Sequence, residues 1–285
     1  MNAAFSVFSP QQWRVMQALS LYRFLTVDQL VGLGVSKNAK SLRDKSLFAL
    51  RYHGCIHSEK IGSFLPDVHH LTKKGWNILY AVEGLEPEAA PSGKKAPFSA
   101  LFARHRFAQV DFHIGLQRWA DARGDAEVSL ALQDFQHEAA TGQKHTRPAT
   151  ELSVPNLVNT VIPDGVYAVE LETGQTAVYL AEIHRATQSK AVTEQLHKYC
   201  EVIRSRVVQE KFGFSSNPVV CSVHHQPSVL ASVKRRLSAH PGFSPFQRNF
   251  AFRSLDTLTE NFTGGWHFAD DKPAQPFPMP NPPTQ

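Results

Sequence analysis

The chain has 285 residues, of which 42% are hydrophobic and 19% are charged, values that predict about two folded domains and exclude a largely disordered protein. No window approaches eighteen consecutive apolar residues, and the first residues lack a basic segment followed by an apolar run, so we expect neither a membrane-spanning helix nor a signal peptide. Three cysteines far apart in sequence, with no C-x-x-C pair, favour a reducing compartment and a cytoplasmic location.

The first part of the chain carries the positive charge. Residues 1–80 contain ten Lys and Arg against four Asp and Glu, an excess of +6, whereas the whole chain has a formal charge of +5. Residues 81–285 are therefore close to neutral. A domain with this asymmetry favours a polyanionic partner.

Residues 1–82 have the pattern of three helices, a hairpin and a closing helix. Apolar spacing and breakers predict helices over 11–24, 27–33 and 37–53, extended runs over 55–61 and 68–71, and a helix over 73–80. Thr26, Ser36 and Thr72 are the expected N-caps of the second, third and closing helices. This order is that of a winged helix-turn-helix domain.

The rest of the chain predicts a second domain and a tail. Residues 83–97 are rich in Pro and Gly and indicate a linker, which gives a second domain over 98–271. Its expected elements are a helix over 99–122, strands over 128–135, 165–171 and 177–183, a helix over 188–208, a strand over 218–223 and a helix over 229–237. This is the α-β-β-β-α-β order of restriction-endonuclease-like folds, so the predicted fold class is α+β. Six prolines within 272–285 predict a disordered tail.

Two acidic residues mark a candidate catalytic site. Asp164 lies in Pro163-Asp164-Gly165, directly before a predicted strand, and Glu182 lies inside the next apolar strand. Two carboxylates at one sheet edge can hold Mg²⁺ or Mn²⁺, which activates water and offsets the charge of a phosphate. Pro-Asp-Gly is also a common turn, and a glutamate on a strand can face solvent, so a structural role for each acid stays open.

Three further side chains extend this candidate site. Gln195 and Tyr199 lie one turn apart on the helix predicted over 188–208, and Asp111 on the first helix of the domain is a candidate third carboxylate. A core aromatic residue would equally account for Tyr199, and a helix-surface acid for Asp111.

A catalytic cation is the least well defined part of the site. A nuclease of the PD-(D/E)XK type has lysine two residues after the second acid, where this chain has His184. Lys198 lies on the flank of the following helix. Either Lys198 or His184 is the candidate for orienting the attacking water.

The third predicted helix carries the candidate DNA-contacting side chains. In helix-turn-helix proteins this element enters the major groove, where Asn and Arg can read base edges while Lys and Ser mostly hold phosphates. The candidates there and after the hairpin are Lys37, Asn38, Lys40, Ser41, Arg43, Lys45, Lys73 and Lys74. A solvated helix face in a protein-binding module is the alternative.

Taken in order, these motifs resemble the replication-relaxation family of mobile-element proteins, which includes the MobC-type conjugative relaxases. The similarity runs over residues 10–260. The segments that carry it are Leu71-Thr72-Lys73-Lys74-Gly75, the helix from His105 to Asp111, Pro163-Asp164-Gly165, Glu182 with Arg185 and Thr187 after it, and Lys198-Tyr199. Gln195 and Tyr199 also resemble the Q-x-x-x-Y helix of RecB-like nucleases.

The resemblance implies a winged helix joined to a PD-(D/E)XK-like domain that acts on plasmid or integrated-element DNA. It implies metal-dependent nicking with Mg²⁺ or Mn²⁺ and without a covalent tyrosine. The implied partners are double-stranded DNA, single-stranded DNA at a nick, a second copy in a homodimer, and conjugation or replication accessory proteins, with no membrane. The alternative is a non-catalytic, sequence-specific DNA-binding replication or transcription factor with a nuclease-like scaffold, which His184 in place of lysine favours.

Overall fold

The protein is a mixed helix-and-sheet chain, in agreement with the predicted α+β class. A computed structural model describes residues 8–84, 100–139, 146–155, 157–256 and 258–277. The chain divides into two units, Met1–Val110 and Asp111–Gln285, each with its own buried core. The division falls inside a helix, whereas the linker was predicted over 83–97, most of which lies outside the described residues.

The first unit contains the predicted elements in the predicted order. The helices are α1 (Pro10–Tyr22), α2 (Val27–Gly32), α3 and α4 (Lys73–Glu83), and β1 (Ile56–Glu59) pairs antiparallel with β2 (Val68–Leu71). The third helix, α3, consists of three successive segments: Ala39–Ser41, a π-helical Leu42–Leu47 and Phe48–Tyr52. An i→i+5 segment of this kind within a helix is rare.

Short polar side chains fix where these helices begin. Thr26 and Thr72 accept hydrogen bonds from backbone N–H groups three residues later, as predicted for N-caps. The predicted cap Ser36 is wrong, because α3 begins later and the Asn38 side chain accepts from the Ser41 N–H at 2.9 Å. Ser36 instead hydrogen-bonds the backbone of Asn38, which orders the turn before the helix.

The second unit is built on a five-stranded mixed sheet. Its strands follow the order β3 (Ala126–Gln133), β6 (Gly165–Leu171), β7 (Thr176–His184), β8 (Val219–His224) and β9 (Phe250–Ser254). Strand β6 runs antiparallel to both of its neighbours, β3 and β7, and β7, β8 and β9 are parallel. Parallel neighbours need crossover connections, which here contain helices.

Helices supply those crossovers. Helix α5 (Ala100–Arg123) precedes the sheet, α6 (Ser189–Ser205) and α7 (Val207–Phe212) connect β7 to β8, and α8 (Pro227–Ser238) with the 3₁₀ helix Pro241–Asn249 connects β8 to β9. Side chains of α6 and α8 form one core with Leu180, Val220 and Phe250 of the sheet.

Four features differ from the predicted second domain. The helix predicted over 188–208 is divided at Arg206, whose backbone is left-handed. The segment between the strands predicted over 128–135 and 165–171 contains the short pair β4 (His137–Ala139) and β5 (Thr146–Pro148), and β9 adds an unpredicted strand. Residues 272–277 of the predicted disordered tail are ordered, because Phe277 is buried against the rings of Trp119, Tyr179 and Phe262. Residues 278–285 lie outside the described residues.

No helix within the described ranges is long and apolar enough to cross a membrane.

Candidate functional site

Three acidic residues lie at one level across three neighbouring strands. Asp134 directly follows β3, Asp164 directly precedes β6, and Glu182 lies near the end of β7. Gly165 of β6 pairs with Gln133 of β3 and with Ala181 of β7. One residue further, Asp164 therefore lies between Asp134 on one side and Glu182 on the other. Asp134, Asp164 and Glu182 thus form a row of carboxylates, called the acid row below.

Backbone hydrogen bonds hold the middle of the acid row in place. The Asp134 N–H donates to the Asp164 carbonyl oxygen at 3.2 Å, which extends the β3–β6 pairing by one residue. Asp164 Oδ2 accepts the Ile183 N–H at 2.7 Å. This hydrogen bond tethers the Asp164 side chain to the strand that carries Glu182.

Glu182 is buried, with 2% of its surface exposed, so the alternative of a solvent-facing glutamate is wrong. Its carboxylate accepts two hydrogen bonds from α6: Tyr199 Oη–H donates to Oε1, and Gln195 Nε2 donates to Oε2 at 2.6 Å. The one-turn spacing of Gln195 and Tyr199 thus brings both side chains to the same carboxylate. Tyr199 is also a core residue, since its ring is fully buried.

The environment of Glu182 opposes its ionisation. Burial raises the pKa of Glu182 well above its ordinary value, and the negative charge of Asp164 raises it further. The Tyr199 hydrogen bond lowers this pKa, and Asp134 adds a smaller upward effect. The carboxyl group of Glu182 consequently keeps its proton to a higher pH than an exposed glutamate would.

Asp134 is an acid near Glu182 that was not among the predicted site residues, whereas the predicted Asp111 lies on α5. Asp111 is half-buried on α5, and its neighbour Phe112 stacks on Tyr167 at 5.5 Å between ring centroids. Tyr167 faces the opposite side of the sheet from Glu182, because strand residues alternate between faces. The sequence offers one signal for Asp134, which is its place near the end of the strand predicted over 128–135.

His184 supplies no fixed positive charge beside the acid row, because its side chain is an imidazole and not an ammonium group. His184 is buried, and its ring centroid lies 4.7 Å from that of His224 on the adjacent strand. The His224 ring bonds with Ser222 Oγ at 2.8 Å, and burial lowers the pKa of His224 to about 4. Lys198 is exposed on α6 and makes neither a hydrogen bond nor an ion pair within the described part of the chain.

The described residues do not form a preassembled metal site. Within the ranges that the structure describes, no group of three or more His, Cys, Asp or Glu side chains is arranged to hold a metal ion. The acid row has the oxygen donors that Mg²⁺ and Mn²⁺ prefer, but two of its oxygens are occupied by Tyr199 and Gln195.

The predicted DNA-contacting residues lie on the surface of the first unit. The exposed candidates are Lys37 and Asn38, directly before α3, and Lys40, Arg43 and Lys45 within it. The predicted candidate Ser41 is only half-exposed, and its N–H completes the helix cap. Lys73 and Lys74 are exposed in the first turn of α4.

Helix α3 and the β1–β2 hairpin share one cationic surface. Arg51 Nη1 donates to Ser58 Oγ at 3.4 Å, and Ser58 Oγ bonds with His69 Nδ1 at 2.7 Å. Burial and the charge of Arg51, with a smaller effect from Arg43, lower the pKa of His69 to about 4, although the negative charge of Asp67 opposes them. The arginines of α3 therefore lie beside the hairpin, where a single polyanion could contact both elements.

Aromatic side chains missed by the sequence analysis are exposed on the same two elements. Phe48 and Tyr52 of α3 are 59% and 81% exposed, and Phe64 in the β1–β2 connection is 93% exposed. Exposed rings among cations can stack on bases, and Arg51 adds a further cation to the predicted set.

Comparison with protein-family models, with curated proteins and with solved structures finds no match to this chain. Its function must be inferred from the acid row and from the cationic surface.

Proposed function

We propose that this chain is a DNA-binding protein of a plasmid or other mobile element that nicks DNA with the help of a divalent metal ion, in the manner of a relaxase. The observation that carries the proposal is the acid row, in which a buried Glu182 held by Tyr199 and Gln195 lies beside Asp164. Buried acids are costly to a fold unless they are paired, and strongly perturbed acids occur mostly at functional sites.

The first unit is proposed to act as a winged helix-turn-helix domain that brings the protein to duplex DNA. The support is the exposed cations of α3 and their proximity to the hairpin. In this arrangement α3 would lie in the major groove, and Lys73 and Lys74 would contact the phosphate backbone.

The second unit is proposed to act as a PD-(D/E)XK-like nuclease domain. A divalent cation bound at the acid row would activate a water molecule and offset charge on the scissile phosphate. Asp164 and Glu182 would hold it, Asp134 would supply a further oxygen, and Tyr199 with Gln195 would keep Glu182 in position. Loss of the Glu182 proton would accompany binding, because only the carboxylate is a ligand.

Changing Lys37, Lys40 and Arg43 together to alanine is expected to weaken duplex binding by roughly 1–3 kcal/mol, because cationic contacts to DNA are lost. For the wild type, affinity should fall steeply with salt, since neutralised phosphates release counterions. Gel-shift titrations at several salt concentrations measure both effects. The control is Arg236→Ala, which removes an exposed cation of the second unit. Equal affinity of the triple variant and the wild type would refute the assignment of α3.

A specific observation favours a second candidate function. The position of the nuclease lysine holds His184, which packs against His224 and adds no permanent charge to the acid row. A non-catalytic, sequence-specific DNA-binding factor for replication or transcription would need no such charge. Nicking of supercoiled plasmid in the presence of Mn²⁺ separates the two candidates, because only the first predicts it.

A further inference from the structure

A surface pocket lies on the second unit, away from the acid row. Its volume is about 480 Å³, within the size range of small-molecule sites. Asn217 precedes β8 and Asn249 precedes β9, so the pocket opens at the amino ends of the parallel strands. Glu182, in contrast, lies near the carboxyl end of β7.

The side chains of this pocket suit an anion. Arg204 and Arg206 contribute two guanidinium groups, Ser215 contributes a hydroxyl, and none of the lining residues is acidic. The Asn217 Oδ1 atom accepts from Gln209 Nε2 at 2.8 Å, which leaves the Asn217 amide N–H groups as donors. Guanidinium and amide donors are the groups that proteins use to bind phosphate oxygens.

The two arginines differ in how they are held. Arg204 pairs with Glu201 and lies 5.2 Å from the ring centre of Phe246. Arg206 is exposed and, within the described residues, forms no ion pair. Arg206 is therefore the pocket cation whose charge is not already compensated by a carboxylate.

The backbone of Arg206 gives an independent reason to assign it a role. Arg206 lies between α6 and α7 with φ of 57° and ψ of 23°, in the left-handed region. Helix ends with this conformation strongly favour glycine, because any Cβ is strained there. An arginine at such a position lowers stability relative to glycine, and strained residues of this kind occur frequently at functional sites.

We propose that this pocket binds a phosphate group through Arg206, with Arg204 and Asn217 as further donors. The phosphate belongs to a free nucleotide or to the backbone of bound DNA; the chemistry recognised is the same. The proposal does not depend on nicking, because the pocket lies at the amino ends of the parallel strands and Glu182 near the carboxyl end of β7.

The test is Arg206→Gly in the full-length protein, because this variant removes the guanidinium and also relieves the backbone strain. We expect its thermal midpoint to rise by about 2 °C, which excludes misfolding as the cause of lost binding. Binding of AMP and of inorganic phosphate is measured by calorimetry, and binding of duplex DNA by fluorescence anisotropy. Arg236→Ala is the charge-matched control on α8.

At least a tenfold loss of AMP or phosphate affinity in Arg206→Gly, with the control unchanged, would identify a free phosphate compound as the ligand. A loss of DNA affinity alone would identify the DNA backbone as the source of the phosphate. If Arg206→Gly binds AMP, phosphate and DNA as the wild type does, or if the control loses as much affinity, the proposal is wrong.

Discussion

Replacing Glu182 with glutamine is expected to stabilise the protein at pH 8 by roughly 1–3 kcal/mol, the usual size of a buried polar penalty. Glutamine has nearly the same shape and carries no charge. Its carbonyl oxygen can still accept from Tyr199, and the Gln195 amide can rotate to accept from the new NH₂ group. A glutamate that lowers stability at position 182 is in keeping with a functional site, where proteins commonly lose stability in exchange for activity.

The pH dependence of this effect follows from the raised pKa of Glu182. An acid whose folded pKa exceeds its unfolded value binds more protons in the folded state between the two pKa values. Stability therefore falls as the pH rises through that interval and stays lower above it. At pH 4, below both values, Glu182→Gln should have nearly the stability of the wild type.

Urea denaturation at pH 4 and pH 8 measures the difference. Glu170→Gln is the matched control, because Glu170 is an exposed glutamate on β6 of the same sheet. Parallel pH profiles for the wild type and Glu182→Gln would show that burial does not raise the pKa of Glu182.

Replacing Gly75 with alanine is expected to destabilise the first unit by about 3 kcal/mol, at the upper end of overpacking effects. A Cβ at Gly75 would lie 2.1 Å from the Cys55 carbonyl oxygen and 3.0 Å from Leu71 Cδ2. The carbonyl cannot retreat freely, because it accepts hydrogen bonds from the Thr72 N–H and hydroxyl.

Thermal denaturation followed by circular dichroism tests the Gly75 prediction. Gly62→Ala is the control, since a Cβ there would meet no heavy atom within 4 Å and its effect should stay within about 0.5 kcal/mol. A Gly75→Ala midpoint equal to that of Gly62→Ala would show that α4 does not pack closely on Cys55.

Local chemistry explains the parts of the fold that the sequence predicted. The Thr26 and Thr72 caps depend only on a side chain reaching an N–H three residues away. Gln195 and Tyr199 were found because helical spacing places them on one side of α6. The error at Ser36 arose because Ser36 and Asn38 are both good caps two residues apart.

The acid row could be predicted only in part, because strand pairing is a tertiary property. Asp164 directly precedes β6 and Glu182 lies in β7, and the pairing of these two strands is evident from the short turn between them. Asp134 lies thirty residues before Asp164, and its place depends on the pairing of β3 with β6. The contact of His184 with His224 likewise requires the parallel register of β7 and β8, which the sequence does not indicate.

The central claim is tested most directly by a nicking assay on supercoiled plasmid that carries the DNA flanking the gene. We expect the wild type to produce open circles slowly with Mn²⁺ and not with EDTA. Asp164→Asn should lower that rate at least a hundredfold, a loss of about 2.7 kcal/mol of transition-state stabilisation. Glu170→Gln should nick at the wild-type rate. Tight DNA binding without Mn²⁺-dependent nicking, or equal nicking by Asp164→Asn, would contradict a catalytic role for the acid row.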